Sequence, residues 1–142
     1  MGRRKAGGLA MLLIGAAPLA PSWAQALEAD KPLLCAVVDI HSCAPSASGV
    51  ECEKQTPESA NVPRFLRIDV ADKTIVGTRA DGARRNTKIA TVQRLPGHLL
   101  LQGIDDGPLS WSIAISQSTG AMSLTGAKAD VGFVVFGACT EP

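Results

Sequence analysis

The sequence predicts an all-β domain: an antiparallel meander of about eight short strands, forming a small closed or partly closed barrel. Three observations carry that expectation. Apolar and polar residues alternate over short runs, as on half-buried strands. Turn residues separate the runs at hairpin spacing. No stretch beyond residue 26 keeps a helical period over the ~10–12 residues a convincing helix needs.

The first 26 residues read differently. Arg3, Arg4 and Lys5 form a positive start, Leu9 to Leu19 an apolar stretch, and Ala24-Gln25-Ala26 a small-x-small cleavage site. That is the pattern of a removable export signal. The apolar stretch is about half of the ~20 residues a spanning helix requires, and Pro18 and Pro21 break its end. The mature protein is expected to be one domain, Leu27 to Pro142, periplasmic or secreted and without a transmembrane segment.

The strands follow in order. Leu33–Ile40 is a short β-branched run. Residues 41–63 turn rich in Ser, Pro, Glu and Ala, and read as a long loop pinned by its own disulfide, with a short helix possible at Thr56–Asn61. Arg64–Val70 alternates cleanly, with Leu66, Ile68 and Val70 on one face. Ala71-Asp72 leads into Lys73–Thr78, and Asp81-Gly82 is a strong turn signal. Thr87–Gln93 and His98–Gln102 flank the turn Pro96-Gly97. Asp106-Gly107-Pro108 turns the chain into Leu109–Ser116, where Leu109, Trp111, Ile113 and Ile115 share a face. Gln117–Gly120 makes a hairpin into Ala121–Thr125, and Val131–Ala138 is the last strand. Hairpin-length connections favour antiparallel neighbours, and closing the meander removes exposed edges. A two-sheet sandwich is the alternative architecture.

Removing the signal changes the charge. The whole chain has a formal charge of +1, whereas the mature part carries eleven basic and thirteen acidic residues, for −2. The largest basic group, Arg84-Arg85 with Lys88 nearby, reads as a solvated turn. It is too small for a nucleic-acid footprint or a lipid-binding patch.

Cys35, Cys43, Cys52 and Cys139 all lie in the mature chain. An even number in an oxidising compartment implies two disulfides. Three pairings are possible. The favoured one is Cys43–Cys52, a short local loop, with Cys35–Cys139 joining the first strand to the last and supporting closure.

Chemistry-bearing patterns are sparse. Asp39, His41 and Cys43 stand close together, but their spacing matches no closed zinc pattern. His98 opens a strand, where an exposed side chain is ordinary. No Gly-x-Ser-x-Gly and no phosphate-binding glycine loop is present. The acidic pairs Asp105-Asp106 and Glu51 with Glu53 are ordinary turn and loop residues. No catalytic residue, cofactor site or metal site is therefore expected. Trp111 is the one tryptophan of the mature chain, which has no tyrosine. Its phase with Ile113 and Ile115 points to the core. If the barrel holds an apolar ligand instead, Trp111, Ile113 and Leu101 would line the space.

The segments Arg64–Asp69, Trp111–Ile115, Thr119-Gly120-x-Met122 and Gly132–Cys139 resemble a group of small exported bacterial proteins of unknown function. That resemblance implies an exported β-rich domain and no particular activity. In size, compartment and stapling the chain is also similar to periplasmic β-barrel lysozyme inhibitors. Their inhibitory loop carries serine, glycine and a nearby tyrosine. Here Ser46-Ala47-Ser48-Gly49 occurs without any tyrosine.

The expected function is that of an exported, non-enzymatic binding or envelope-associated protein. An envelope or extracellular protein is the expected partner, met through residues 41–63, with no role for nucleic acid. The alternatives are a carrier of a small apolar ligand and an inhibitor of an extracellular enzyme such as a lysozyme.

Overall fold

A computed structural model describes residues 26–105 and 109–142. The signal at 1–26, all but its last residue, and the turn Asp106-Gly107-Pro108 lie outside the described residues. Within them the fold is all-β, with ten strands: β1 Leu33–Ser46, β2 Gly49–Gln55, β3 Phe65–Asp69, β4 Thr74–Thr78, β5 Arg84–Lys88, β6 Thr91–Leu95, β7 His98–Asp105, β8 Leu109–Ser116, β9 Ala121–Lys128 and β10 Val131–Thr140. They form one antiparallel sheet in the order β5-β4-β3-β1-β10-β9-β8-β7-β6, and β2 pairs with β1 beside that path.

The topology explains why the sheet curls. β5 and β6 stand at opposite ends of the strand order, yet only Ile89 and Ala90 separate them. Ile89 N–H donates to Lys73 O beside β4, and Ala90 N–H donates to Gln102 O on β7. Two residues therefore pass from one end of the sheet to the other. They can do so only if the ends meet, which makes the sheet a half-barrel and rules out the open sandwich. The run expected as one strand, Thr87–Gln93, is thus divided between β5 and β6. Ile89 turns its side chain into the core at the division.

The alternation then decides which residues meet. Leu33, Cys35, Ile68, Leu99, Leu101, Ile113, Ile115 and Val135 are each at most 1% exposed, and they come from strands all round the curl. The closely approaching strands need glycine at a few points. A Cβ at Gly103 would stand 2.3 Å from Trp111 Cζ2, so the indole can lie against the strand only over a bare backbone. Gly120 has φ 72° and faces Cys139 O, closing the β8–β9 hairpin. The segment before β1 closes the lower end, where Leu27 N–H donates to Gln117 O and Leu27 and Ala29 pack against the core.

Both disulfides are present, Cys35–Cys139 and Cys43–Cys52. The first joins directly opposed residues of β1 and β10 inside the core. Two disulfides need an oxidising environment to form and persist. No helix among the described residues is long and apolar enough to cross a membrane.

The region 41–63 differs most from expectation. It is not a long loop. β1 runs on to Ser46, turns at Ala47-Ser48, and returns as β2. His41-Ser42-Cys43-Ala44-Pro45-Ser46 has little intrinsic strand preference, so composition alone pointed to a loop. Pairing overrides it: β10 holds one edge of β1 as far as Cys43, and β2 holds the other from Ile40 to Ser46. The segment after β2 forms a single turn, with Ala60 N–H donating to Thr56 O, and not a helix.

Candidate functional site

Two features stand out, an arm and a cavity. The arm is the hairpin Ile40–Gln55, continued from β1 beyond the point where β3 pairs with it. Ile40 is the last buried residue on β1, and six of the seven residues of β2 are exposed. Beyond Cys43, where β10 ends its pairing with β1, the arm is a two-stranded ribbon, and such a ribbon without a core is marginal in water. Here Cys43 and Cys52 face each other directly and clamp it. Asp39 anchors its base. It accepts from Lys54 Nζ at 3.1 Å and lies 3.4 Å from His41 Nε2. The Lys54 ammonium holds the Asp39 carboxyl below its usual range.

The arm has two faces. His41, Cys43, Pro45, Val50, Cys52 and Lys54 share one, and Ser42, Ala44, Ser46, Glu51 and Glu53 share the other. At the tip Glu51 accepts hydrogen bonds from Ser46 Oγ at 3.1 Å and Ser48 Oγ at 3.0 Å. Glu53 has no ion-pair partner among the described residues.

The strand edges of the arm can be assigned. The Cys43 and Cys52 Cα atoms are 4.1 Å apart. That fits the narrow, non-hydrogen-bonded pair of an antiparallel ladder (~4.5 Å), not the wide pair (~5.5 Å). Before the bulge between Val37 and Asp39, odd residues of β1 point their amides toward β3, as Val37 N–H to Arg64 O shows. The extra residue reverses the phase. Ser42 then bonds to β2, while Cys43 faces β10. On β2, Glu51, Glu53 and Gln55 bond to β1. Val50, Cys52 and Lys54 point their N–H and C=O groups away from the sheet.

The cavity occupies the upper half of the barrel and has a volume of about 100 Å³. Val37, Leu66, Trp111, Ile113, Phe133 and Val135 make most of its apolar wall, and Arg85, Thr87 and Asp105 stand at its rim. Asp105 accepts from Thr87 Oγ1 at 3.0 Å and pairs with Arg85. Burial and the neighbouring Arg79 push the Arg85 guanidinium below its usual pKa. Trp111 Nε1 is buried without a hydrogen-bond partner among the described residues.

Each residue singled out in the sequence has a place. Trp111 and Ile113 both line the cavity. Leu101 stands directly opposite Ile113 on β7, fully buried in the core and outside the cavity wall. Cys35 with Cys139, and Cys43 with Cys52, are the staples. Asp39 and His41 lie against each other at the base of the arm, while Cys43 stands further along β1, bonded to Cys52. Among the described residues no three His, Cys, Asp or Glu side chains are grouped as metal ligands. Glu51 and Asp105 are each engaged by hydroxyls or a guanidinium.

Arg84-Arg85 does not lie in a turn. It opens β5, and Arg85 faces inward at the barrel rim. The clue available was Arg85 and Thr87 two apart, sharing one strand face with the apolar Ile89. Their partner Asp105 is brought to them only by the curl. Compared with protein families, curated proteins and solved structures, the chain matches none.

Proposed function

We propose that this is an exported, non-enzymatic binding protein of the periplasm or cell surroundings, one of a group of small exported bacterial β-proteins. It meets a protein partner through the Ile40–Gln55 arm. The observation that carries the reading is that the arm is tied in place without being packed. A cross-strand disulfide and the Asp39–Lys54 pair hold it, while almost none of its side chains serve the core. Structure kept in place without contributing to burial is available for contact, and projections on rigid scaffolds commonly carry binding. Export is inferred from residues 1–26, and the staples fit an oxidising destination.

The cavity does not favour the carrier alternative. Sites for whole small-molecule ligands enclose roughly 300–1,000 Å³, against about 100 Å³ here. Inhibition of an extracellular enzyme is one form the arm contact can take.

The test replaces residues 41–54 by Asn-Gly, joining Ile40 to Gln55, which already face each other in register. Mature wild-type and shortened protein are then used to capture partners from a native envelope extract. Loss of the captured partner with the amides of β7 and β8 still protected from exchange is expected. Retention of the same partner overturns the arm as contact surface.

A further inference from the structure

The exposed edge of β2 specifies what kind of partner it accepts. The geometry points to strand addition: β2 takes an extended peptide segment that alternates basic and apolar side chains. This deepens the arm reading and rests on it.

Three features of β2 support the assignment. Among the described residues its outer edge is unpaired, since β2 pairs there with β1 alone. That edge presents the N–H and C=O groups of Val50, Cys52 and Lys54, the chemistry an added strand satisfies. Its side chains are sorted by face. An incoming strand meets Glu51 and Glu53 on one side. On the other it meets Val50, 71% exposed, and the Cys43–Cys52 bridge. Cross-strand neighbours of opposite charge attract and like charges repel, so lysine or arginine belongs beside the glutamates and an apolar residue beside Val50. Lys54, the one cation of β2, is already taken by Asp39, and it does not offset Glu53.

The same pattern argues against a second copy of the chain. An antiparallel β2–β2 pair centred on Cys52 would set Glu51 against Glu53. Moving the centre to Glu51 or Glu53 sets that glutamate against itself. The edge is thus defended by charge against self-pairing while remaining open to a basic strand.

The probe is a blocked seven-residue peptide of alternating lysine and valine, with its glutamate–valine counterpart as control. Binding to the mature protein is followed by amide hydrogen exchange and by affinity. Slowed exchange at Val50, Cys52 and Lys54, with preference for the lysine peptide, is expected. Val50→Pro removes an outward N–H and none of the arm's own bonds, and proline is tolerated on an edge. It should weaken binding about tenfold. The double variant Glu51→Lys/Glu53→Lys should reverse the preference between the two peptides. Failure of the lysine peptide to bind, or binding indifferent to both variants, overturns strand addition. If arm replacement still abolishes partner capture in that case, the arm remains the contact surface and only the mode of contact is wrong. If capture survives arm replacement as well, both readings fall.

Discussion

The barrel and the arm use the same staple for different ends. In each, a disulfide joins directly opposed residues of neighbouring antiparallel strands. Cys35–Cys139 is buried among side chains from every part of the curl and spans 104 residues. Cys43–Cys52 is exposed or half-exposed, spans 9 residues, and lies beyond the last buried residue of β1. The barrel would have a core without its bridge. The arm has little besides its bridge, one ion pair and a ladder to β10 along part of its length. The bridge therefore consolidates a fold in one place and maintains a shape in the other.

Removing each bridge separates these roles most strongly. In the chain-entropy account a closure of about a hundred residues contributes up to ~4–5 kcal/mol. The Cys35→Ala/Cys139→Ala protein should lose most of that in urea unfolding, and a cavity in the core adds to the loss. A loop of about ten residues is worth roughly 2.5 kcal/mol by the same account. The Cys43→Ala/Cys52→Ala protein should show much less than this globally. An arm freed from its clamp regains freedom in the folded state too, and that offsets the gain of the unfolded chain. Its amides at 49–55 should exchange rapidly while those of β7 and β8 stay protected. A full 2.5 kcal/mol loss with a still-protected arm would show that the hairpin stands without its bridge.

The division between the regions also follows what could be read from the sequence. Barrel strands such as Leu109–Ser116 carry their burial in their alternation, and of the three possible cysteine pairings the favoured one is present. The arm carries no such signal, because alternation marks a boundary between core and water and the arm has water on both faces. Its first strand is held by pairing of Ile40–Cys43 with Gly132–Val135, about ninety residues away, and no local pattern encodes that. The Ile89–Ala90 crossing was hidden for a related reason. It is a property of strand order, and so is the meeting of Arg85 and Thr87 with Asp105.

Within the barrel, Gly103→Ala tests how tightly the wall of the cavity is built. The new methyl would meet Trp111 Cζ2 at 2.3 Å and Lys88 O at 2.8 Å. Overpacking of this kind costs about 1–3 kcal/mol. Trp111 is the sole tryptophan of the mature chain, so its fluorescence should report the displacement directly. The arm lies outside this contact and should exchange as in the wild type. Asp105→Asn removes the partner of a partly buried guanidinium at the same rim. A loss of about 1–3 kcal/mol is expected in urea unfolding, again without effect on the arm.

Acid acts on the arm through Asp39. Its carboxyl titrates below its ordinary range because Lys54 and His41 face it from β2 and β1. A lowered pKa means that the folded form is favoured while the group is ionised. That contribution is fully present above the ordinary carboxylate range, near pH ~4. It is lost as pH falls through the lowered value, when protonation releases Lys54. Exchange of the arm amides, corrected for its intrinsic pH dependence, should therefore quicken below about pH 4. In Asp39→Asn the same amides should exchange faster at neutral pH, and the acid step should vanish. The effect is the smallest of the series, because the pair is solvent-accessible and exposed pairs are weak. Outside the arm other carboxyls are also lowered, among them Glu141, bonded to Glu28 N–H and Lys31 at the lower end. Their acid response should persist unchanged in the variant. An acid step that survives in the arm of Asp39→Asn would assign the anchoring to another group and detach the base of the arm from this ion pair.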